Sequence, residues 1–443
     1  MKFGHAFKDA LERERYPPHW VDKAIPYRRL KKLLAKVREE LIKNGYDPDT
    51  LHKLLAAHEA EYRLRTGDSQ LLRPKLVVRP APNAPAPSSN SSLKLSTSPE
   101  PHLEVNGHAE HPPSSPPAQH LENEWVKIPL DSDSKFFGIL QADVVRLDSL
   151  QSQERKSMND DIVLLGTEIA QVAKPQKGLI RLSKSDLYRW REIFELYLAA
   201  QVFFSTTEAT GGDRSSTKAH KQLVWFQDEV AKRQLPHKFK LESSGAAYSR
   251  FLALNVTLLQ NLQFQELNQT AITKIIKKFD KQTSLGVKAE FPKVMNSATF
   301  IAENIAKNIC AQLSSEVVGR VPQIVDYTCT ICTRLAICWL PIRLDCNHIF
   351  CIRCMIKMQN RNKELCPLCR ASTVQLATEG MRHPPPPPFW FFNATHIDIK
   401  LMHFLEQWFP KETKEKQKYN EIERRKEMLG DAYAETNTPC SVM

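Results

Sequence analysis

The chain has 443 residues, with 62 Lys and Arg against 50 Asp and Glu and a formal net charge of +12. That length allows two or three domains, and the charge favours an anionic partner without identifying it. No apolar run approaches the roughly 18 residues of a membrane span, and the opening Met1–Glu14 alternates charged and apolar residues where a secretory leader would be apolar. Seven of the ten cysteines fall between 329 and 369 at metal-ligand spacing, leaving Cys310, Cys338 and Cys440, so a disulfide framework is not expected and the chain points to a reducing compartment, cytosolic or nuclear.

Near the N-terminus Leu30, Leu34, Val37 and Leu41 recur at the spacing of one helix face. Tyr27 and Lys31 stand one turn apart on that helix, flanked by Arg28, Arg29 and Lys32. Residues 66–120 are dense in Pro, Ser and Asn, as in Pro80–Pro87, and are expected to be unfolded. Helical periodicity resumes with Phe137, Leu140, Val144 and Leu147, continues through Met158, Ile162, Leu165 and Ile169, and returns at Leu187, Trp190, Phe194 and Tyr197. Residues 205–219, with Gly211-Gly212, read as a polar loop. A long helix is expected from about Ala247 to Lys281, with Phe251, Leu254, Leu258 and Leu262 on one side. The pattern predicts a mainly α protein whose antiparallel bundle draws on both sides of the 66–120 insertion.

Toward the end of that long helix Lys274, Lys277, Lys278 and Lys281 fall at i, i+3, i+4 and i+7, so four ammonium groups share one face. Like charges at this spacing cost a few tenths of a kcal/mol per pair. Only Asp280 interrupts the run, and it projects elsewhere. If this helix packs beside the one bearing Tyr27 and Lys31, the cations converge on a site for a compact polyanion. A plain solvated face and a nucleic-acid site are the alternatives, the latter without any strand-borne aromatic platform or DNA-binding motif to support it.

Met1-Lys2-Phe3-Gly4, Tyr27-Arg28-Arg29-Leu30-Lys31-Lys32 and the stretch Asn268–Lys281 resemble the SPX domain, over the N-terminal arm and roughly residues 125–290. The insertions at 66–120 and 205–245 depart from a compact member. The resemblance implies a helical bundle that binds inositol polyphosphates and pyrophosphates. Its binding cluster maps onto Tyr27, Lys31 and Lys278, with Lys274, Lys277 and Lys281 beside it and Lys2 as an outlying candidate. Lysines serve as point charges for phosphate, and a tyrosine hydroxyl adds a directional donor.

Farther along, Cys329-x2-Cys332, Cys346-x-His348, Cys351-x2-Cys354 and Cys366-x2-Cys369 make four pairs. Each pair can wrap one side of a tetrahedral ion, so four pairs make two closed zinc sites that fold the chain and activate no water. With its histidine as fourth ligand, the cluster resembles the RING finger. The resemblance implies a cross-brace, in which Cys329, Cys332, Cys351 and Cys354 hold one zinc while Cys346, His348, Cys366 and Cys369 hold the other. It also implies that Ile331, Met358 and Pro367 form a groove for a ubiquitin-conjugating enzyme, and that Arg370 bridges that enzyme to its bound ubiquitin. A planar guanidinium with five donors suits that role.

The run His383–Pro388 is expected to be an extended spacer, with a ligand for an aromatic groove as the alternative. Beyond it, Phe389-Trp390-Phe391-Phe392 and a helix with Ile399, Met402, Phe404, Leu405 and Trp408 are expected to support the small RING core, with ubiquitin binding and dimerisation as alternatives. Residues 411–428 read as a solvated charged helix. Cys440-Ser441-Val442-Met443 fits a prenylation signal, farnesyl by its terminal methionine, which would bring reversible membrane contact.

The expected organisation is an SPX-like antiparallel helical bundle with disordered insertions, a small two-zinc RING finger of α+β type, and a C-terminal helix. Its segments are 1–65 (first SPX helices), 66–120 (insertion), 121–300 (rest of the bundle), 301–325 (connecting helix), 326–372 (RING), 373–388 (spacer), 389–430 (aromatic segment and helix) and 431–443 (tail). An SPX domain joined to a RING resembles the phosphate-responsive ubiquitin ligases of fungi and plants. The implied cofactors are two structural zinc ions, with an inositol (pyro)phosphate as regulatory ligand. The implied partners are a conjugating enzyme, ubiquitin and a protein substrate such as a phosphate transporter, with no nucleic acid. The implied setting is cytoplasmic, extending to the nucleus or a membrane surface. A scaffold whose RING only assembles partners is the competing expectation.

Overall fold

A computed structural model describes residues 3–66, 72–79, 125–175, 185–204, 214–294, 305–332, 338–374 and 397–429. In chain order the elements are α1 (Phe3–Arg13), α2 (Pro18–Val21), α3 (Tyr27–Lys43), α4 (Pro48–Ala56), β1 (Ala60–Thr66), β2 (Leu72–Val78), β3 (Val126–Ile128), α5 (Asp131–Ala173), α6 (Leu187–Ala200) and α7 (Ser216–Lys232). They continue with α8 (Glu242–Thr283), α9 (Val287–Val294), α10 (Ile305–Glu316), β4 (Pro341–Arg343), β5 (Ile349–Cys351), α11 (Ile352–Gln359), α12 (Ile399–Trp408) and α13 (Pro410–Leu429). The fold is mainly α, as its periodicity predicts. No helix among the described residues is long and apolar enough to cross a membrane.

The chain divides into two compact units, residues 1–152 with 264–303 and residues 153–263 with 304–443. The division departs from the single expected bundle, because α5 and α8 each contribute to both units. In the first unit the apolar stripe of α3 (Leu30, Leu34, Val37, Leu41) is fully buried against Phe136, Phe137 and Leu140 of α5 and Ile275 and Phe279 of α8. The rings of Phe136 and Phe137 each lie 5.1 Å from that of Phe279. Distant side chains supply the helix ends with partners: Glu40 of α3 accepts from the amides of Asp131 and Ser132 at 2.8 and 3.0 Å, satisfying donors at the start of α5. The amide of Ile25 donates to Asn268 Oδ1 at 2.9 Å.

A three-stranded antiparallel sheet, in the order β1-β2-β3, completes this unit. β2 lies inside the stretch expected to be unfolded. Its Leu72, Leu76 and Val78 alternate inward with period two, and Leu76 pairs with both Tyr62 and Ile128. That alternation spans too few residues to be heard above the Pro- and Ser-rich sequence after it. The rest of the expected insertion, residues 67–71 and 80–120, lies outside the described residues.

The second unit packs Ile162, Leu165 and Ile169 of α5 with Trp190 and Phe194 of α6, Phe226 of α7 and Phe251 of α8. The Tyr197 ring meets Phe251 edge-on at 5.0 Å, and its hydroxyl donates to Asn255 at 2.8 Å. The polar loop expected as far as 219 gives way to α7 at Ser216, and residues 205–213 lie outside the described residues. α10, expected as a connector, buries Ile309 and Leu313 in this core. It approaches α5 so closely that a Cβ on Gly166 would lie 2.1 Å from the carbonyl oxygen of Glu316, so only glycine fits there.

Candidate functional site

The hairpin β4–β5 and helix α11 hold the cysteine-rich segment. The ligand atoms form two quartets, Cys329, Cys332, Cys351 and Cys354, and Cys346, His348, Cys366 and Cys369, each with all atoms within 4.8 Å of one another. Pairs one and three meet, as do pairs two and four, which is the cross-brace. Sulfurs at the corners of a zinc tetrahedron stand about 3.8 Å apart, given a Zn–S distance of roughly 2.3 Å. Cys332 and Cys351 are 3.6 Å apart, and Cys351 and Cys354 are 3.1 Å apart. In the second quartet His348 presents Nδ1, 3.4 Å from Cys346 Sγ and 3.6 Å from Cys366 Sγ. The donor sets fit zinc, closed and structural, with no position left for substrate.

Ile331, Met358, Pro367 and Arg370 all line one groove of about 710 Å³ on this finger. Ile331 is 38% exposed and Leu365 53%, while Met358 is buried and floors the groove. The final knuckle is closed by Arg370 N donating to Cys366 O and Cys366 N donating to Ala371 O, both at 2.8 Å. It holds Arg370 at φ +62°, a conformation that favours glycine.

The groove has a wall that sequence reasoning missed. Lys416 and Tyr419 of α13 line it beside the RING residues. The expectation of a fully solvated helix over 411–428 is corrected here: Thr413 and Lys416 are 3% and 2% exposed. Lys416 Nζ donates to Cys332 Sγ at 3.1 Å. Burial pulls its ammonium down, but the hydrogen bond to Cys332 and the neighbouring thiolates more than offset this and leave its pKa above the ordinary value. Arg353 of α11 donates to the carbonyl of Asn420 at 3.2 Å and faces Glu423 at 3.6 Å. The run of alternating charges from 411 hid this face, because it mimics a solvent-exposed helix.

The aromatic residues of α12 pack beside the finger and not in its core: Phe404 and Trp408 cluster with Ile324 and Tyr327, and Trp408 also lies against the helical core. Phe404 lies 5.2 Å from Tyr327, and Ile397 bridges Ile342 of β4. Residues 383–392 and Cys440 lie outside the described residues.

In the first unit Tyr27 is 7% exposed, with its ring 4.9 Å from Phe3 and against Gly4. Burial pushes its phenol up. Lys274 Nζ lies 5.9 Å from the Phe3 ring centroid, which brings the N-terminal arm, α3 and α8 to one place. Lys278 and Lys281 line a hollow of about 460 Å³ with Arg38 and Pro48. Arg38 was missed in the sequence, although it lies seven residues beyond Lys31 and so on the same face of α3. Lys31 and Lys277 are exposed on α3 and α8. Asp280 turns away from the lysines to accept from the amides of Val287 and Lys288 at 2.7 and 2.8 Å. Lys2 lies outside the described residues.

Comparison with known proteins gives two family matches, an SPX domain over residues 1–295 and a C3HC4-type zinc finger (RING finger) over residues 329–369. An uncharacterized RING finger protein of Schizosaccharomyces pombe is 31% identical, the match covering 95% of this chain and 96% of that protein. A protein of Candida albicans named transcriptional regulator of yeast form adherence 3 is 29% identical over the full length of both chains. No solved structure matches the chain.

Proposed function

The chain belongs to the SPX-domain family and carries a C3HC4 RING finger, and on that premise we propose that it is a RING-type ubiquitin ligase whose SPX domain binds inositol polyphosphates or pyrophosphates. The observation that carries the ligase reading is the convergence of Ile331, Met358, Pro367 and Arg370 on one groove of the finger. Catalysis is positional. The groove seats a charged conjugating enzyme, and Arg370 donates hydrogen bonds to that enzyme and to ubiquitin. The thioester is thereby held in one reactive geometry for a substrate lysine. Zinc folds the finger and takes no part in the transfer.

The ligand reading rests on the cationic hollow of Arg38, Lys278 and Lys281, with Lys274 close to the N-terminal arm. Phosphates would be held there by point charges and a guanidinium fork. We assign the protein to phosphate homeostasis, with a phosphate transporter or related membrane protein as substrate. It would act in the cytoplasm, extending to the nucleus or to membrane surfaces where Cys440 is farnesylated.

The deciding experiment is discharge of ubiquitin from a panel of charged conjugating enzymes onto free lysine. It would use full-length protein and Arg370→Ala, each with and without an inositol pyrophosphate. Discharge that depends on Arg370 and responds to the ligand supports both halves of the reading. Absence of discharge with every enzyme in both ligand states would leave a scaffold whose RING only assembles partners.

A further inference from the structure

The groove is not built by the zinc finger alone. α13 is pinned beside it by Lys416 on Cys332 at one point and by Arg353 on Asn420 and Glu423 at another. Tyr419 lies between Lys416 and Asn420 in the sequence and lines the groove with 38% of its surface exposed. An exposed tyrosine on a fixed helix is a rigid amphipathic contact, with little conformational entropy to lose when a partner covers it.

The charge of the lining is one-sided. Lys357, Arg361, Lys363 and Arg370 contribute four cations besides Arg353 and Lys416, which face Glu423 and Cys332, and no Asp or Glu is among the described residues that line the groove. Lys357, Arg361, Lys363 and Arg370 are exposed, and the same groove exposes the apolar side chains of Ile331 and Leu365. A groove with apolar contacts and charges of one sign fits a partner with an apolar tip and charges of the other sign. A like-charged partner is rejected at the same contacts.

Resting on the ligase reading, we propose that α13 is a specificity element of the docking groove. Tyr419 packs against the docking loops of the conjugating enzyme, and the exposed cations select enzymes whose docking face is acidic. The helix thereby narrows the choice of conjugating enzyme beyond what the zinc finger contributes.

The test measures binding of the full-length, zinc-loaded protein to one uncharged conjugating enzyme with an acidic docking face. The same enzyme with those carboxylates reversed to lysine is the comparison. The acidic form is expected to bind about tenfold or more tightly at low ionic strength, with the difference shrinking as salt is added. Tyr419→Ala is expected to weaken binding of the acidic form by about fivefold or more, on the scale of an interface tyrosine. Arg361→Glu is expected to shift preference toward the reversed enzyme. Zinc content and the thermal unfolding midpoint, read on each variant, identify any variant that fails to fold, and exposed Arg361 provides a second probe independent of α13. Equal affinity for the two enzyme forms, or unchanged binding by Tyr419→Ala, overturns the specificity role, while Arg370-dependent discharge still upholds the ligase. No binding and no discharge with any enzyme overturns both.

Discussion

The guanidinium of Arg191 lies 3.8 Å from the ring centroid of Phe409, joining α6 to the hinge between α12 and α13. The same group donates to the carbonyls of Pro322 and Trp408 at 2.8 and 2.7 Å and stands 4.0 Å from Glu412. Tyr188 adds a hydrogen bond to Glu412 at 2.9 Å. One buried cation thus fixes the segment that carries the groove's outer wall. Arg191→Met is expected to cost about 3 kcal/mol or more, because two carbonyls lose a buried donor and Glu412 loses its counter-charge. Limited trypsin digestion should then cut α13 at Lys414 and Lys418 well before the helical core. Unchanged protection of those sites would show that other contacts hold the helix.

Asp133 and Tyr62 make the first unit sensitive to pH. The Tyr62 hydroxyl donates to both carboxyl oxygens of Asp133, at 2.9 and 2.8 Å. Burial raises the Asp133 pKa to about 7, against a partial lowering by that bond. The folded carboxyl therefore holds its proton to higher pH than the unfolded one, and the folded state binds more protons between about pH 4 and 7. Stability from this group is fully present below the unfolded pKa and is lost as pH rises to 7, by at most about 1.4 kcal/mol per pH unit, with no further loss above. Chemical denaturation of wild type should show that decline between pH 5 and 7, and Asp133→Asn should flatten it. A parallel decline in both proteins would place its origin elsewhere.

Arg370 separates function from folding. Its φ of +62° is strained for arginine, at roughly 1–2 kcal/mol, so Arg370→Gly should leave the finger as stable as wild type or more so. On the proposed mechanism the same change would remove a charge-assisted bridge worth about 1.5–3 kcal/mol, or roughly 10- to 100-fold in discharge rate. Zinc content and thermal unfolding should therefore hold or rise while ubiquitin discharge collapses. A variant that keeps its discharge rate would remove Arg370 from the proposed mechanism.

The zinc ligands were legible because chemistry fixes their spacing, and the long helices were legible because burial imposes a 3.6-residue period. Leu30, Leu34, Val37 and Leu41 are all buried as that period requires. β2 was not legible, since seven residues containing Pro74 carry little signal beside a disordered-looking neighbour. Arg38 and Tyr419 escaped for a different reason. Each belongs to its site through tertiary placement, and its own segment gives no sign of the partner: α3 carries many cations, and α13 has the composition of a solvated helix. The buried Lys416 is the sharpest case, because its counter-anion is a cysteine 84 residues away in sequence.

That contact also ties α13 to the metal. Four thiolates on one zinc carry net negative charge, and Lys416 supplies the nearby cation, 3.1 Å from Cys332. A charge-assisted hydrogen bond stabilises the thiolate and makes it a poorer nucleophile. In the zinc-loaded protein Lys416→Met, similar in length and apolar, should let an alkylating reagent attack Cys332 faster by roughly tenfold, corresponding to about 1.4 kcal/mol. Zinc release, followed with a chromogenic chelator, should accelerate in step. Chelating the metal from wild type should in turn expose α13 to trypsin, because the folded finger that Lys416 and Arg353 grip is lost. If alkylation and zinc release are unchanged in Lys416→Met, the lysine is a passenger of helix packing and the coupling between metal and tail runs through other contacts, such as those of Arg353 and Asp398.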